Sequence, residues 1–216
     1  EILHNKSLNK IRSKGIFGKV QSKIKDGSDP NLKIVQIEVE EKATGEISAG
    51  AGVGTSGSTI AFGVKENNYL GKGVRVNTNI QISGSTVKGE LSYVQPNFQN
   101  TDNSLFTSFS STSADNLDDF GYKTDIYSVS FGTNYERFEN FRISPEIDIN
   151  YEKLDTTSKA SANLRKQDGN YFESAFIYTL DYDKRNQRFQ PTEGFRSRFT
   201  QNLPFISSNY EVKNSY

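Results

Sequence analysis

The chain has 216 residues, and its 26 Lys plus Arg are balanced by 26 Asp plus Glu, so it lacks the basic excess that marks a nucleic-acid binder. There is no Cys and only one His, His4, which excludes disulfides, thiolate catalysis, Cys-based metal sites and multi-His metal sites, and argues against a His-based triad. The mean hydropathy of -0.67, with no apolar run near the roughly 20 residues of a membrane helix, excludes helical membrane proteins but not β-barrels, whose polar lumen lowers the average.

An aromatic content of 12% argues against disorder. The sequence lacks Met even at residue 1 and shows no leader with a basic start and an apolar core, so it reads as an internal segment of a longer chain.

In chain order, Leu3, Leu8 and Ile11 recur at helical spacing and Gly15 follows as a C-terminal stop, which predicts a short helix ending near Lys14. Residues 20–25 alternate, 26–31 form a turn cluster with Gly27 and Pro30, and 32–40 put Val35, Ile37 and Val39 on one face, a β-hairpin. A helix and one hairpin bury too little to stand alone, so the rest of that domain is expected before residue 1.

From Thr44 the period becomes two. Ile47, Ala49, Ala51 and Val53 alternate with Ser48, Gly50, Gly52 and Gly54, and Ile60, Phe62 and Val64 alternate with Ala61, Gly63 and Lys65. The clearest contrast is 141–152, where Phe141, Ile143, Pro145, Ile147, Ile149 and Tyr151 oppose Arg142, Ser144, Glu146, Asp148, Asn150 and Glu152. Further strands are predicted over 74–83, 87–94, 105–110, 125–135, 172–183 and 195–203. Nine strands across 44–203 leave about 18 residues for each strand and its connection, a spacing that suits membrane strands of roughly 10 residues. Tyr69, Phe98, Phe138, Phe141, Tyr151, Tyr171 and Tyr182 near strand ends suit interfacial girdles. Pattern alone leaves a second architecture open, a soluble sandwich or lipocalin-like barrel whose apolar face is its core.

Three stretches go beyond alternation. The first is Val39-Glu40-Glu41-Lys42-Ala43-Thr44-Gly45-Glu46 leading into Gly-rich 49–55, and the second is Val64-Lys65-Glu66-Asn67-Asn68-Tyr69-Leu70-Gly71-Lys72-Gly73. The third runs from Tyr182 through Asp183, Arg185, Pro191 and Gly194 to Arg196. In order and spacing, and with Glu90-Leu91-Ser92-Tyr93 before Pro96-Asn97-Phe98, these resemble the BamA family, the barrel-assembly branch of the Omp85 superfamily. The resemblance implies a mainly β fold: residues 1–43 as the C-terminal half of a periplasmic α+β POTRA domain, and residues 44–216 as the first nine strands of a sixteen-stranded transmembrane antiparallel β-barrel, with 209–216 starting a tenth.

It also implies an outer-membrane location and a non-enzymatic function, the folding and insertion of client barrels through a weak lateral seam at the first strand. The implied partners are unfolded outer-membrane protein clients, the lipid bilayer and lipopolysaccharide, and periplasmic lipoprotein subunits and chaperones, with no nucleic acid, metal or other cofactor. A secretion translocator of the same superfamily and a passive porin-like channel are the alternatives.

The gate strand is then Gly45, Glu46, Ile47, Ser48, Ala49, Gly50, Ala51, Gly52, Val53 and Gly54. Its glycines offer no side chain to pack, and its apolar face carries Ala where other strands carry Ile and Phe. Relief of crowding or bending of a barrel wall is the alternative reason for those glycines. Asn67, Asn68, Tyr69, Leu70, Gly71 and Gly73 are read as a periplasmic turn with an interfacial anchor, which lacks the Gly order and following helix of a phosphate loop. Asp183, Arg185, Pro191 and Gly194 are read as a second such turn, closed by an ion pair. Residues 111–124 and 153–170 are expected as long external loops.

Overall fold

The computed structural model describes residues 2–29, 31–54, 57–187 and 190–207. The tenth strand expected over 209–216 and the residues Pro30, Thr55, Arg188 and Phe189 lie outside them.

The N-terminal unit is a helix, α1 (Ile2–Arg12), and a hairpin of β1 (Phe17–Asp26) and β2 (Lys33–Glu41). Leu8 from the helix, Ile16 just before the hairpin and Val20 from β1 are buried, while the turn that ends at Gly15 is exposed. The Nε2 of His4 lies 2.9 Å from Ser22 Oγ, and Arg12 donates to the Val20 carbonyl, so polar contacts also hold the helix on β1. Val35, Ile37 and Val39 pair with Ile24, Ser22 and Val20 on the helix side, yet the three β2 residues stay 40–47% exposed, because one helix covers only part of that face.

The remainder is a single nine-stranded sheet formed by β3 (Gly45–Gly54), β4 (Gly57–Tyr69), β5 (Val74–Ser83), β6 (Thr86–Gln95), β7 (Ser104–Asn116), β8 (Tyr122–Phe138), β9 (Phe141–Thr156), β10 (Gly169–Asp183) and β11 (Arg196–Ser207). Each strand pairs antiparallel with its sequence neighbours and nothing crosses over. This up-and-down order follows from alternating strands joined by short reversals. All nine predicted strands are present.

Register makes the two faces continuous from strand to strand. One row runs Ala49, Phe62, Ile80, Gly89, Ser111, Tyr127, Tyr151, Phe172, and the next Ile47, Val64, Thr78, Leu91, Phe109, Val129, Ile149. On the opposite face a row runs Glu46, Lys65, Asn77, Ser92, Ser108, Ser130, Asp148. Along β9 the apolar face runs ten residue steps from Phe141 to Tyr151, about 33 Å of strand and about 25 Å of height at a tilt of about 40°, the height of a membrane barrel's apolar band.

No second layer covers that band. Ile60, Phe62, Ile80, Leu91, Phe109 and Phe131 are all more than 40% exposed, and the described residues include only Val74, Leu154, Ala160 and Ala175 as buried apolar side chains in the sheet and its loops. A sandwich would bury one face against another sheet, and among the described residues nothing lies on the apolar face in that way.

Several expectations change at the ends of strands. The loop predicted over 111–124 is mostly strand, because β7 continues to Asn116 and β8 begins at Tyr122, leaving only the short helix α2 (Leu117–Phe120) and Gly121 between them. The second external loop shrinks to 157–168, which includes α3 (Ala162–Arg165). These loops interlock: Thr157 N donates to Gly121 O, Lys159 Nζ to Asp118 O, and Ala160 is 4% exposed. β4 likewise runs on through Asn67 and Asn68 to Tyr69, with a register shift after Glu66, so the first predicted turn is 70–73 only. Tyr171 pairs with Glu152 on the polar face and donates to Gln167 O, so it does not belong to an aromatic girdle. Phe98 sits in a one-turn 3-10 helix (Phe98–Asn100). The pairs Phe138–Phe141 and Tyr182–Phe195, with centroids 6.3 and 5.6 Å apart, lie at the end of the sheet nearest the N-terminal unit.

Candidate functional site: the free edge of the first barrel strand

β3 pairs with β4 alone, and β11 pairs with β10 alone, so among the described residues the sheet has two open edges. All ten residues of β3 are exposed, as are all twelve of β11. In an antiparallel ladder half of an edge strand's backbone N–H and C=O groups point away from its partner, which makes β3 a template for another strand.

Side chains tie β3 to β4 weakly. Lys65–Glu46 is the ion pair between them, 3.8 Å long and exposed on both sides, where such a pair contributes little. Its cross-strand neighbours are Ala49 with Phe62, Gly50 with Ala61, Ala51 with Ile60 and Gly52 with Thr59, so one partner of each pair is small. Farther along, β6 and β7 set Leu91 against Phe109 and Val94 against Phe106. β7 and β8 add Ser108–Ser130 (2.6 Å), and β8 and β9 add Ser128–Asn150 (2.9 Å) and Asn134–Ser144 (2.6 Å). The ladder thus becomes better tied away from β3.

A Cβ built on Gly50, Gly52 or Gly54 meets nothing within 4 Å, and none of the three has a left-handed φ. Crowding therefore does not require glycine at these positions. Gly63 and Gly132 differ: a Cβ would strike Ser48 Oγ at 2.7 Å in the first case, and Phe106 Cζ and the Pro145 carbonyl at 2.6 Å in the second. There the glycine does make room for a neighbour.

At the near end, β3 is anchored rather than loose. Glu66 accepts hydrogen bonds from Thr44 Oγ1 and from Asn68 N (2.6 Å), and Asn67 Nδ2 donates to Thr44 O (3.2 Å). Asn68 in turn holds the reversal, its Oδ1 accepting from Gly73 N and its carbonyl from Gly71 N. Leu70 takes φ 56° and stands 73% exposed beside Tyr69, an apolar tip on the turn. Of the predicted turn residues, Asn67 and Asn68 thus carry hydrogen bonds that spacing alone did not reveal.

In the second predicted turn the Asp183–Arg185 pair lies on one arm, and backbone bonds join the two arms. Arg185 Nε and Nη2 each reach Asp183 at 2.7 Å, Lys184 N donates to Phe195 O, and Asn186 N to Glu193 O. Sequence reasoning missed the continuation into the lumen: Arg196 makes a two-pronged contact with Asp181 and Arg198 joins at 2.8 Å. Arg142 and Glu136 complete the polar cluster, which surrounds a cavity of about 480 Å³.

The N-terminal unit touches the sheet at this same end. Lys10 Nζ lies 2.6 Å from Asp102 Oδ1, and Lys14 Nζ donates to Asn97 Oδ1 at 3.0 Å, both in the connection between β6 and β7. The Lys10 hydrogen bond and charge hold the Asp102 carboxyl below its usual range, so this contact persists above the ordinary carboxylate pKa and fades as pH falls through the depressed value. A zero-length carbodiimide coupling is therefore expected to join Lys10 to Asp102 in the intact protein. The cross-linked peptide, read by mass spectrometry, should weaken in high salt and vanish in Asp102→Asn; a cross-link indifferent to both would show that the pair does not form.

Residues 68–213 match the Omp85 superfamily domain. Among solved structures, BamA from Haemophilus ducreyi lacking POTRA domains 1–3 superposes with a TM-score of 0.68 at 18% identity, over 93% of this chain and 41% of that one. This chain thus spans well under half the length of that structure. With a nine-stranded meander, one apolar face and one polar face, and a domain match over more than half its length, the chain belongs to the Omp85 superfamily and has the fold of a BamA barrel segment.

Proposed function

We propose that the chain is part of an outer-membrane β-barrel assembly factor, with residues 1–43 as the C-terminal half of a periplasmic POTRA domain and 44–216 as the first strands of the barrel. The near end of the sheet then faces the periplasm and the interlocked loops face outward. The observation that carries the reading is the Gly-rich sequence of β3, whose glycines no neighbour crowds and whose side chains tie it weakly to β4, so that it can add a client strand by backbone pairing and release it. Client insertion on this reading is an exchange of hydrogen-bonded strands with no covalent step, so no cofactor is required. Unfolded outer-membrane proteins are the substrates, the bilayer and lipopolysaccharide the surroundings, and periplasmic chaperones and lipoprotein subunits the delivering partners.

The test uses the full-length protein in liposomes, with a photo-reactive residue replacing Ser48 and an unfolded client barrel added from outside. Cross-linking of a client strand to position 48, followed by a protease-resistant, heat-modifiable client in the membrane, is the expected result. Client polypeptide recovered inside the liposomes, unfolded, would assign the chain to a secretion translocator instead. Small-solute conductance with no client contact at position 48 would assign it to a channel.

A further inference from the structure

At the end of the sheet away from the N-terminal unit, a cavity of about 700 Å³ opens on the polar face between the β5–β6 reversal and α2. Gln81 and Lys88, paired across β5 and β6, form its wall with Ser83 and Thr86, the next polar-face pair along the same strands. α2 overhangs that wall and brings Asp119 and Phe120 to it. Both ends of the overhang are fixed. Asp115 N donates to Ser85 O at 2.9 Å and Ser85 Oγ to Asn116 Oδ1 at 2.7 Å, while on the other side Lys159 Nζ donates to Asp118 O and Thr157 N to Gly121 O. The frame is therefore preorganised, and its size falls within the roughly 300–1,000 Å³ of small-molecule sites.

The lining offers groups that the fold itself does not use. Phe120 rests tilted on Tyr122, with ring centroids 6.5 Å apart, yet is 63% exposed, so much of its ring stays open. Among the described residues the side chains of Gln81, Lys88 and Asp119 make no hydrogen bond or ion pair, and Asn116 uses only its Oδ1. An aromatic ring beside one ammonium, one carboxylate and two amides is a mixed set of donors and acceptors without net charge. A phosphate would meet the Asp119 carboxylate as well as Lys88, and an apolar ligand would strip water from both. An extended peptide would need an open backbone edge, whereas β5, β6 and β7 each have a partner on both sides. A pyranose fits on each count, because its C–H face is apolar and its hydroxyls both donate and accept. We propose that this cavity binds an uncharged saccharide, stacked on Phe120 and held through its hydroxyls by Gln81, Lys88, Asn116 and Asp119. The assignment stands on the cavity alone, and the proposed function enters only in deciding which saccharide reaches an outward-facing end.

The test applies the labelled full-length protein in detergent to an array of neutral, sialylated and phosphorylated oligosaccharides, and then titrates the best-bound glycan in solution. Neutral glycans are expected to bind best. Phe120→Ala should weaken binding roughly three- to tenfold, the ratio that loss of one stacked ring gives, and Phe120→Trp should keep it. Asp119→Asn should weaken it about tenfold, because a neutral amide replaces a charge-assisted acceptor. Leu3→Ala, which removes a similarly exposed apolar side chain from α1, should bind as wild type does and so controls for surface apolarity alone. An unchanged heat-modifiable band in each variant shows that its barrel is intact. Absence of binding to every neutral glycan, binding that Phe120→Ala leaves unchanged, or preference for the sialylated or phosphorylated glycans would each overturn the proposal. Repeating the titration in nanodiscs with and without lipopolysaccharide assigns the source, and either result keeps the site. Competition by lipopolysaccharide makes the occupant the saccharide of the membrane's own glycolipid, and equal affinity in both makes it a free saccharide. No client is present in the assay, so its outcome and that of the client cross-link are independent.

Discussion

Gly50→Ile combined with Gly52→Ile is expected to slow client insertion by the full-length protein about five- to thirtyfold while leaving the barrel folded. The two positions lie on the edge strand β3, and an added Cβ meets nothing within 4 Å at either, so the larger side chains enter without strain. Their effect falls on the strand itself. Glycine in a strand costs roughly 0.5 to 1 kcal/mol relative to a residue with a Cβ, and β-branched residues favour the extended chain further. Two substitutions therefore stabilise the closed ladder by about 1 to 2 kcal/mol, which sets the range of the rate if opening of the seam precedes insertion.

A control separates stiffening of the seam from stiffening of the sheet. Gly89 on β6 is equally open, with nothing within 4 Å of a built Cβ, but it lies inside the meander, paired with Ile80 on one side and Ser111 on the other. Gly89→Ile should leave the insertion rate unchanged. Equal slowing by both substitutions would mean that the edge has no special part in insertion, and no slowing by either would remove the weak seam from the mechanism.

What the sequence made legible was what hydrophobic alternation can encode. Phe141 to Tyr151 announced a membrane strand because six apolar and five polar residues take strict turns, and the same contrast located all nine strands. Strand ends were less legible. Residues 111–116 carry Ser, Thr, Asp and Asn on both faces, and above the apolar band no hydrophobic contrast remains to mark a strand, so they read as loop although β7 pairs with β8 through Asn116. The glycines of β3 were visible as a pattern, but the reason for choosing between weakness and crowding was not, since that depends on whether neighbours fill the space beside each Cα. The contacts of the N-terminal unit were invisible for another reason. Lys10 and Asp102 are 92 residues apart and Lys14 and Asn97 83 apart, and no local spacing connects them. The pairing of Asp181 with Arg196 and Arg198 falls between these cases, since it follows once the β10–β11 register is known.

Gly194→Ala is expected to be among the most damaging single substitutions in this segment. Gly194 has φ 86°, where an L-residue with a Cβ is disfavoured by about 1 to 2 kcal/mol, and a Cβ built there falls on the Lys184 carbonyl oxygen and within 2.9 Å of Arg185 Cα. Both obstacles are backbone, so no side chain can swing aside. Relief requires displacement of the turn, and with it the bonds from Lys184 N to Phe195 O and from Asn186 N to Glu193 O. Those bonds set where β11 begins, and a shift of one residue would turn Arg196 and Arg198 from the lumen toward lipid and leave Asp181 without its cations. The heat-modifiable folded fraction of the full-length protein should therefore fall several-fold at 37 °C. Gly194→Asn distinguishes the two causes, because Asn tolerates a positive φ but carries the same Cβ. It should be as damaging as Ala if the backbone collision dominates, whereas recovery with Asn would mean that φ alone sets the cost. Pro191→Ala in the same turn removes only a conformational restriction and should change stability by about 1 kcal/mol or less. A wild-type folded fraction in Gly194→Ala would show that the turn yields without moving β11, and the register would then have to be held by the β10–β11 ladder itself.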